Sequence, residues 1–329
     1  MVQGQRIDCP AYSPCAKKVV CGIKQPDAID KVVFGTFDAT SFLDGDEMLA
    51  RDPATWDPIP AGTETVEFIL TLPKEDAAAG IAPPYRVLVY QHALGVCKET
   101  IVAFADTMAR FGIAVIGIDS VHHGFRNPDV PGGCELAFGD FFVIDNFSKT
   151  SAYFMQSVID IWSVVKLLRD GTAIDVLPAP GGDGTPDLDV TRLAFAGQSM
   201  GSSMGIDALA LEPAFGAGVV NVGGGNLIAL LLSMGITLPD DPLPTLAEYS
   251  LQDMEMAAVV PVMGDSADPI NWSDTLLSEP AIDDREAPLS LMYQQAAYDD
   301  MVPYEVFVDT SLAMSIPMVD TAPRPIAGL

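Results

Sequence analysis

Apolar strands alternate with amphipathic helices through most of the chain, and this pattern constrains the fold more than any other feature. Residues 86–91 and 113–118 are nearly continuous apolar runs, and residues 99–111 between them carry apolar side chains at helical spacing. Strands without polar alternation are buried on both faces, which is typical of parallel sheets covered by helices. The sequence therefore predicts an α/β fold with a mostly parallel central sheet and helices on both faces.

The same alternation predicts the remaining elements and the domain limits. We expect further strands at 64–72, 193–196, 218–222, 289–293 and 316–319, and further helices at 153–168, 200–211 and 303–314. Residues 225–287 interrupt the alternation with an apolar stretch and Pro- and Asp-rich turns, so we interpret them as an inserted cap. Residues 1–60 are rich in Pro, Asp and Cys and predict an irregular leader to a main domain at 61–329.

The charge of the chain excludes several classes of partner. Its 45 acidic and 17 basic side chains give a net charge of −28. Phosphate binding needs clustered Lys and Arg, so nucleic acid is excluded as a partner, and docking on anionic membranes is disfavoured. The longest apolar run, residues 227–238, is too short to span a bilayer. The oligomeric state stays open.

Cysteine usage bears on the compartment. The spacing of the cysteines lacks the Cys-x-x-Cys pair and nearby His of a zinc site. Two disulfides and one odd thiol would suit a secreted or cell-surface protein, and the alternative is buried free thiols. Residues 2–6 are polar, so we expect that an exported form has lost its signal peptide before this chain begins. The favoured bridge joins the last two of the five cysteines, which are Cys9, Cys15, Cys21, Cys97 and Cys134.

The strongest motif is Gly197-Gln198-Ser199-Met200-Gly201, directly after an apolar strand and directly before a helix. A turn this sharp needs very small residues two before and two after the serine. It lifts the hydroxyl above the sheet, and the first N–H groups of the helix face a developing oxyanion. Ser199 is therefore the candidate nucleophile, supported by Gly197 and Gly201; the alternative is a Gly-rich turn without chemistry. An overlapping match at 201–205 lies inside the helix, where close helix–strand packing explains its glycines.

From about residue 63 onward the chain resembles the α/β-hydrolase superfamily, most of all the bacterial secreted lipases and carboxylesterases. The Ser199 turn carries the resemblance, and residues 87–95 are similar to the strand and His-Gly that supply the second oxyanion-hole amide. The resemblance implies that the Leu94 N–H, or that of Ala93, joins the Met200 N–H in the oxyanion hole, with His92 supporting the loop. Ala93 stands where the family usually has Gly. Residues 119–124 resemble the next loop of the family, whose residues are mostly structural.

A second family signature supplies the acid. Residues 297–303 follow a predicted strand and are similar to the Asp-x-x-Val-Pro signature, which implies that Asp299 is the acid that orients an imidazole. The competing assignments are Asp300 as the acid with Asp299 as a helix cap, and both residues as caps.

The catalytic base is missing from the expected place. The family order is Ser, then Asp or Glu, then His, yet the three histidines, His92, His122 and His123, all precede Ser199. A serine without a base is a weak nucleophile. Three explanations stay open: the chain is a fragment whose continuation supplies the histidine, one of the three serves through an altered geometry, or the domain is a non-catalytic relative. The first is our expectation.

The resemblance implies a serine ester hydrolase that acts on lipid or other apolar carboxylic esters through an acyl-enzyme. The runner-up activities are those of a peptidase or a thioesterase, and the alternative of another class is a catalytically silent binding domain. We expect no metal, nucleotide or flavin, because residues 223–225 lack the dinucleotide fingerprint and residues 181–189 lack the spacing of a calcium loop. Several methionines would line an acyl pocket or simply fill the core: Met200, Met204, Met234, Met254, Met256 and Met263.

Overall fold

The structure of the chain is a computed structural model, and it describes most of the predicted sheet. The described residues are 3–5, 27–127, 138–143, 146–170, 174–177, 182–227, 230, 267–277, 285, 287–299 and 301–318. Most of the predicted cap at 225–287 lies outside them. So do four of the cysteines and Asp300.

The core of the molecule is one eight-stranded sheet of order β1-β2-β3-β5-β4-β6-β7-β8. Strands β4 to β8 run parallel to one another, and β1, β2 and β3 are joined antiparallel. The predicted mostly parallel sheet is therefore confirmed. The strands are β1 (Gln3–Gln5), β2 (Ile29–Ser41), β3 (Gly62–Pro73), β4 (Tyr85–Gln91), β5 (Ile113–Ile118), β6 (Leu188–Gln198), β7 (Phe215–Asn221) and β8 (Ser290–Gln294).

Helices cover both faces of this sheet, as the apolar strands predict. The helices are α1 (Val102–Ala109), α2 (Phe138–Phe141), α3 (Phe147–Arg169), α4 (Met200–Leu211) and α5 (Tyr304–Met314), and a 3-10 turn at Lys98–Ile101 leads into α1. Side chains of a strand alternate between faces. Accordingly Leu88 packs with α1 on one face, while Val87 and Val89 join the larger cluster that contains residues of α3 and α4 on the other.

The strand directions decide which loops share an edge. Because β2 is antiparallel to β3, and β3 is antiparallel to β5, β2 runs parallel to β5. The loops that follow β2, β4, β5, β6, β7 and β8 therefore lie at one edge of the sheet, which we name the carboxyl edge. The residues that precede β2, β4 and β6 lie at the opposite, amino edge.

Two predictions for the ends of the chain are wrong. The described part of residues 1–60 is not an irregular leader, because Ile29–Ser41 form a strand that pairs with β3. The main sheet therefore begins before residue 61. Ile316–Met318 are not a strand either: Ser315 ends α5 in the left-handed conformation, and the three residues that follow it are irregular. Pro317 also lacks the N–H that a strand ladder needs.

Candidate active site

The turn between β6 and α4 has the sharp geometry that the motif predicts. Ser199 has φ 51° and ψ −119°, an uncommon conformation for a residue with a side chain. A Cβ on Gly197 would lie 2.3 Å from the Gly201 carbonyl oxygen, and one on Gly201 would lie 2.3 Å from the Gln91 carbonyl oxygen. Both obstacles are backbone atoms, which cannot swing away as a flexible side chain does. The two flanking glycines are thus required by the close contact of β4, β6 and α4.

The Ser199 hydroxyl and the backbone N–H groups near it have no hydrogen-bond partners among the described residues. Within the described residues, the Ser199 hydroxyl has no hydrogen-bond partner, while its carbonyl accepts the N–H groups of Ser202 and Ser203. The Met200 N–H is the first of α4 and has no intrahelical acceptor. The N–H groups of Leu94 and Ala93, in the loop after β4, also find no acceptor among the described residues. A serine hydroxyl and free N–H groups at one sheet edge can form a tetrahedral adduct and stabilise its oxyanion.

Hydrogen bonds at both ring nitrogens fix His92 at the carboxyl edge. Its side chain is fully buried, and the Ser120 N–H donates to its Nε2 at 3.0 Å. Nε2 is therefore unprotonated, and the Nδ1–H donates to the Ala93 carbonyl oxygen at 2.8 Å. Burial lowers the pKa of His92, so the ring is neutral. Both ring nitrogens are used for holding the loop that carries Leu94, which leaves neither for Ser199.

His123 holds the other side of the same loop. The Gly95 N–H donates to its Nε2 at 3.4 Å, and its Nδ1–H donates to the Val121 carbonyl oxygen at 2.9 Å. Burial, with the nearby His92, lowers the pKa of His123 to about 3. The backbone on both sides of Leu94 is thus held by a neutral histidine, at Ala93 by His92 and at Gly95 by His123.

His122 is paired elsewhere. Its Nε2 lies 3.1 Å from Glu47 Oε1, and its ring packs 4.5 Å from that of Tyr153. The Tyr153 hydroxyl donates to Glu47 Oε2 at 2.6 Å. None of the three histidines makes a hydrogen bond to Ser199, so the structure does not bring any of them together with the candidate nucleophile.

A buried ion pair next to the loop after β4 is a feature that the sequence analysis missed. Lys98 Nζ lies 2.7 Å from Asp119 Oδ2, and the Lys98 N–H donates to Asp119 Oδ1 at 2.8 Å. Burial opposes the charge of Lys98, but Asp119 and Glu99 outweigh it and raise the pKa of Lys98. Burial likewise opposes the charge of Asp119, and Lys98 outweighs it and lowers the pKa of Asp119. One signal was available: a lysine in the first turn of a helix opposes the helix dipole and needs a partner.

Asp299 lies at the carboxyl edge, in the loop after β8. Its Oδ1 accepts the N–H groups of Met301 and Val302 at 2.8 and 3.0 Å, and its Oδ2 has no hydrogen-bond partner within the described residues. The side chain is half-buried, and its neighbour Tyr298 is 90% exposed. The structure thus shows a turn-stabilising carboxylate with one free oxygen, at the same sheet edge as Ser199 and two strands away.

Three further observations concern cofactors and compartment. Among the described residues, no group of three or more His, Cys, Asp or Glu side chains is arranged to hold a metal ion. No helix in that part of the chain is long and apolar enough to cross a membrane. Cys97 is disulfide-bonded. Since Cys97 is the one cysteine within the described residues, its partner lies outside them.

The strand order and the serine turn between β6 and α4 give the chain the fold of an α/β-hydrolase, as the resemblance implied. Neither a protein-family model nor a curated protein matches the sequence.

Among solved structures, the chain is similar to an acylaminoacyl peptidase of Pyrococcus horikoshii, with 12% identity, a TM-score of 0.46, and coverage of 88% of this chain and 35% of the other. A puromycin-hydrolyzing peptidase of Mycobacterium tuberculosis gives 17% identity, a TM-score of 0.43 and coverage of 84% and 34%. An esterase of Pyrococcus furiosus has 13% identity and a TM-score of 0.43, and the match covers 86% of this chain and 78% of the esterase. This chain therefore spans about a third of the length of the two peptidases.

Proposed function

We propose that this chain is a serine hydrolase that cleaves apolar carboxylic esters through an acyl-enzyme. The observation that carries the proposal is the Ser199 turn, with its positive φ and its unpaired hydroxyl next to unpaired N–H groups. Ser199 Oγ attacks the ester carbonyl carbon, and the N–H groups of Met200 and Leu94 bind the oxyanion. The alcohol leaves with a proton, and water then releases the acid. The preference for esters rests on the resemblance noted in the sequence.

The proposal assigns Asp299 to an imidazole that is not among the three in this sequence. Its Oδ2 is unpaired in the described structure, while Oδ1 is held by two backbone N–H groups. Such a carboxylate can accept the Nδ1–H of a histidine and fix its tautomer. His92 and His123 are excluded from this role because both nitrogens of each ring already bind the loops after β4 and β5. His122 is instead paired with Glu47, and its Nε2 lies 3.1 Å from Glu47 Oε1.

Covalent labelling tests the nucleophile directly. The native protein is treated with a fluorophosphonate and assayed with p-nitrophenyl acyl esters. Ser199→Ala is expected to abolish labelling and to lower kcat by about a million-fold. The matched control is Ser203→Ala, in the overlapping motif, whose hydroxyl donates to the Gly224 carbonyl oxygen inside the protein. Labelling that survives in Ser199→Ala would refute the assignment.

Two variants separate the acid role of Asp299 from its turn role. Asp299→Asn keeps an oxygen for both backbone N–H groups but cannot stabilise an imidazolium, so kcat is expected to fall by about 10⁴ with the fold intact. An unchanged kcat would show that Asp299 is a cap alone. The same assay with peptide anilides distinguishes an esterase from a peptidase: the proposal expects the higher kcat/KM with esters.

We also propose that the protein is exported to an oxidising compartment. The disulfide at Cys97 supports this, because disulfides persist in secreted proteins and are rare in reducing cytosol. Alkylation of the native protein before and after reduction, followed by mass measurement, tests it. Cys97 is expected to react after reduction and to be protected before it; modification of Cys97 without reduction would contradict the proposal.

A further inference from the structure

A cavity of about 670 Å³ lies at the amino edge of the sheet, away from the Ser199 turn. It is lined by Asp30 at the start of β2, Pro73 at the end of β3, Tyr85 at the start of β4, and Asp187 directly before β6. Ser199 follows the other end of β6. The cavity and the candidate active site are therefore separated by the length of a strand, and the proposed hydrolase does not use this cavity.

One buried polar atom in the wall of this cavity has no hydrogen-bond partner among the described residues, and a carboxylate oxygen accompanies it. Tyr85 is 1% exposed, and its hydroxyl makes no hydrogen bond. Asp187 is 3% exposed; its Oδ2 accepts the N–H groups of Val176 and Leu177 at 2.6 and 2.9 Å, while no hydrogen bond reaches its Oδ1 from the described residues. An unsatisfied buried polar group costs stability, so the Tyr85 hydroxyl indicates a ligand that supplies the missing contact, and Asp187 Oδ1 is a second acceptor on the same wall.

The charge of the side chains that line the cavity indicates the charge of that ligand. Four carboxylates line the cavity against two ammonium groups. Lys31 is already paired with Asp30 at 2.9 Å, and Lys74 Nζ donates to the Asp27 carbonyl oxygen at 2.5 Å. The Lys31–Asp30 pair cancels in charge, so three carboxylates remain against Lys74 and the net charge of the lining is negative. The carboxylates are Asp30, Glu75, Asp183 and Asp187.

The protonation state of Tyr85 agrees with this environment. Burial, together with Glu75, Asp30 and Asp187, raises the pKa of Tyr85 to about 12. The side chain is therefore a neutral phenol at physiological pH, with an oxygen that accepts one hydrogen bond and a proton that donates another.

We propose that this cavity binds a small organic cation whose ammonium group donates hydrogen bonds to Asp187 Oδ1 and to the Tyr85 oxygen. The surrounding carboxylates neutralise its charge. A metal ion is the weaker candidate, since no group of three or more His, Cys, Asp or Glu side chains within the described residues is arranged to hold one. An inorganic or carboxylate anion would face the same excess of negative charge. The ligand class is thus an alkylamine, of which putrescine and spermidine are simple probes.

Thermal unfolding and titration calorimetry with putrescine test the site on the intact chain. At constant ionic strength, putrescine is expected to raise Tm in a saturable manner, because a ligand that binds the folded state alone stabilises it. Tyr85→Phe is expected to weaken putrescine binding about tenfold, the size of one hydrogen bond of about 1.4 kcal/mol. Without putrescine, Tyr85→Phe should leave Tm unchanged or slightly raised, since the hydroxyl it removes has no partner.

A control variant separates specific binding from general cation effects on a chain of net charge −28. Tyr293→Phe removes a hydroxyl that donates to the Gly223 carbonyl oxygen at 2.6 Å; it should lower Tm without putrescine and keep the full response to it. Glu75→Gln and Asp183→Asn remove exposed carboxylates of the lining and should each weaken binding severalfold. An equal Tm rise in wild type and Tyr85→Phe, or no saturable rise with either amine, would overturn the proposal.

Discussion

The two halves of the candidate site differ in how firmly the fold holds them. In the nucleophile half, Ser199 and the Leu94 loop lie against buried backbone, two neutral histidines and a buried ion pair. In the acid half, Asp299 is half-buried beside a 90% exposed tyrosine, and β8 leaves Met292 54% exposed. Each of these contacts in the first half joins two described residues. In the second half, Asp299 Oδ2 has no hydrogen-bond partner among the described residues.

This difference bears on two questions that the missing histidine raises: whether the domain is catalytic, and which half of the site lacks a catalytic group. A domain that had lost catalysis would have no reason to keep a strained serine conformation and free N–H groups opposite it, since strain of this kind costs free energy. The nucleophile half therefore supports the proposed function, and in the acid half none of the three histidines makes a hydrogen bond to Asp299. The following predictions test how strongly the two halves differ.

The largest effect is expected at the buried Lys98–Asp119 ion pair next to the loop after β4. Lys98→Met leaves the Asp119 carboxylate buried without its counter-ion, which is expected to cost about 3–5 kcal/mol of the free energy of unfolding. Lys166→Met is the matched control, because Lys166 pairs with Asp170 on the exposed surface of α3 and its loss should cost less than about 1 kcal/mol. Chemical denaturation measures both. Equal losses would show that the nucleophile half is no more firmly held than the surface.

The next effect tests the close backbone contact at the serine turn. Gly201→Ala places a Cβ 2.3 Å from the Gln91 carbonyl oxygen and is expected to destabilise the fold by about 3 kcal/mol, because backbone must move. Gly45→Ala is the control: no atom lies within 4 Å of its added Cβ, so its free energy of unfolding should stay within about 0.5 kcal/mol of wild type. A tolerated Gly201→Ala would contradict the described contact of α4 with β4.

Individual elements show which parts of the fold and of the site can be predicted from the sequence. Strands β4 to β8 and the Ser199 turn could be predicted because apolar runs and flanking glycines are local signals. Strand β2 was missed because its alternation is broken by adjacent Val32 and Val33, and its pairing with β3 crosses a long loop. The bond from the Ser120 N–H to His92 joins loops after two different strands, so no local pattern reveals it. Sequence order alone likewise could not show that both ring nitrogens of His92 and of His123 are hydrogen-bonded to backbone.

A smaller effect is expected from pH, and it reports on the neutral histidines. The pKa of His123 is lowered to about 3 in the folded state, whereas an unfolded histidine titrates near 6.5. Between these values the unfolded chain binds a proton that the folded chain does not, so stability falls as the pH falls through this window. By pH 5 the loss from His123 is about 2 kcal/mol, and His92, whose pKa is also lowered, adds to it.

His123→Gln isolates this contribution, because glutamine does not titrate. The variant is expected to lose less stability than wild type between pH 7 and pH 5, measured by denaturation at each pH, and the two slopes should coincide above pH 7. Identical slopes throughout would mean that His123 is accessible to protons in the folded protein, and that the loop around Leu94 is less firmly held than its hydrogen bonds indicate.

The smallest effect is expected in the acid half. In Asp299→Asn the amide oxygen still accepts the N–H groups of Met301 and Val302, so the free energy of unfolding should change by less than about 1 kcal/mol. Asp299→Ala removes that acceptor and, like the loss of a helix N-cap, is expected to cost about 1 kcal/mol more than the amide. Denaturation of the two variants measures the difference. If Asp299→Asn were as costly as Lys98→Met, the Asp299 carboxylate would be part of a buried network, and the contrast between the two halves of the site would fail.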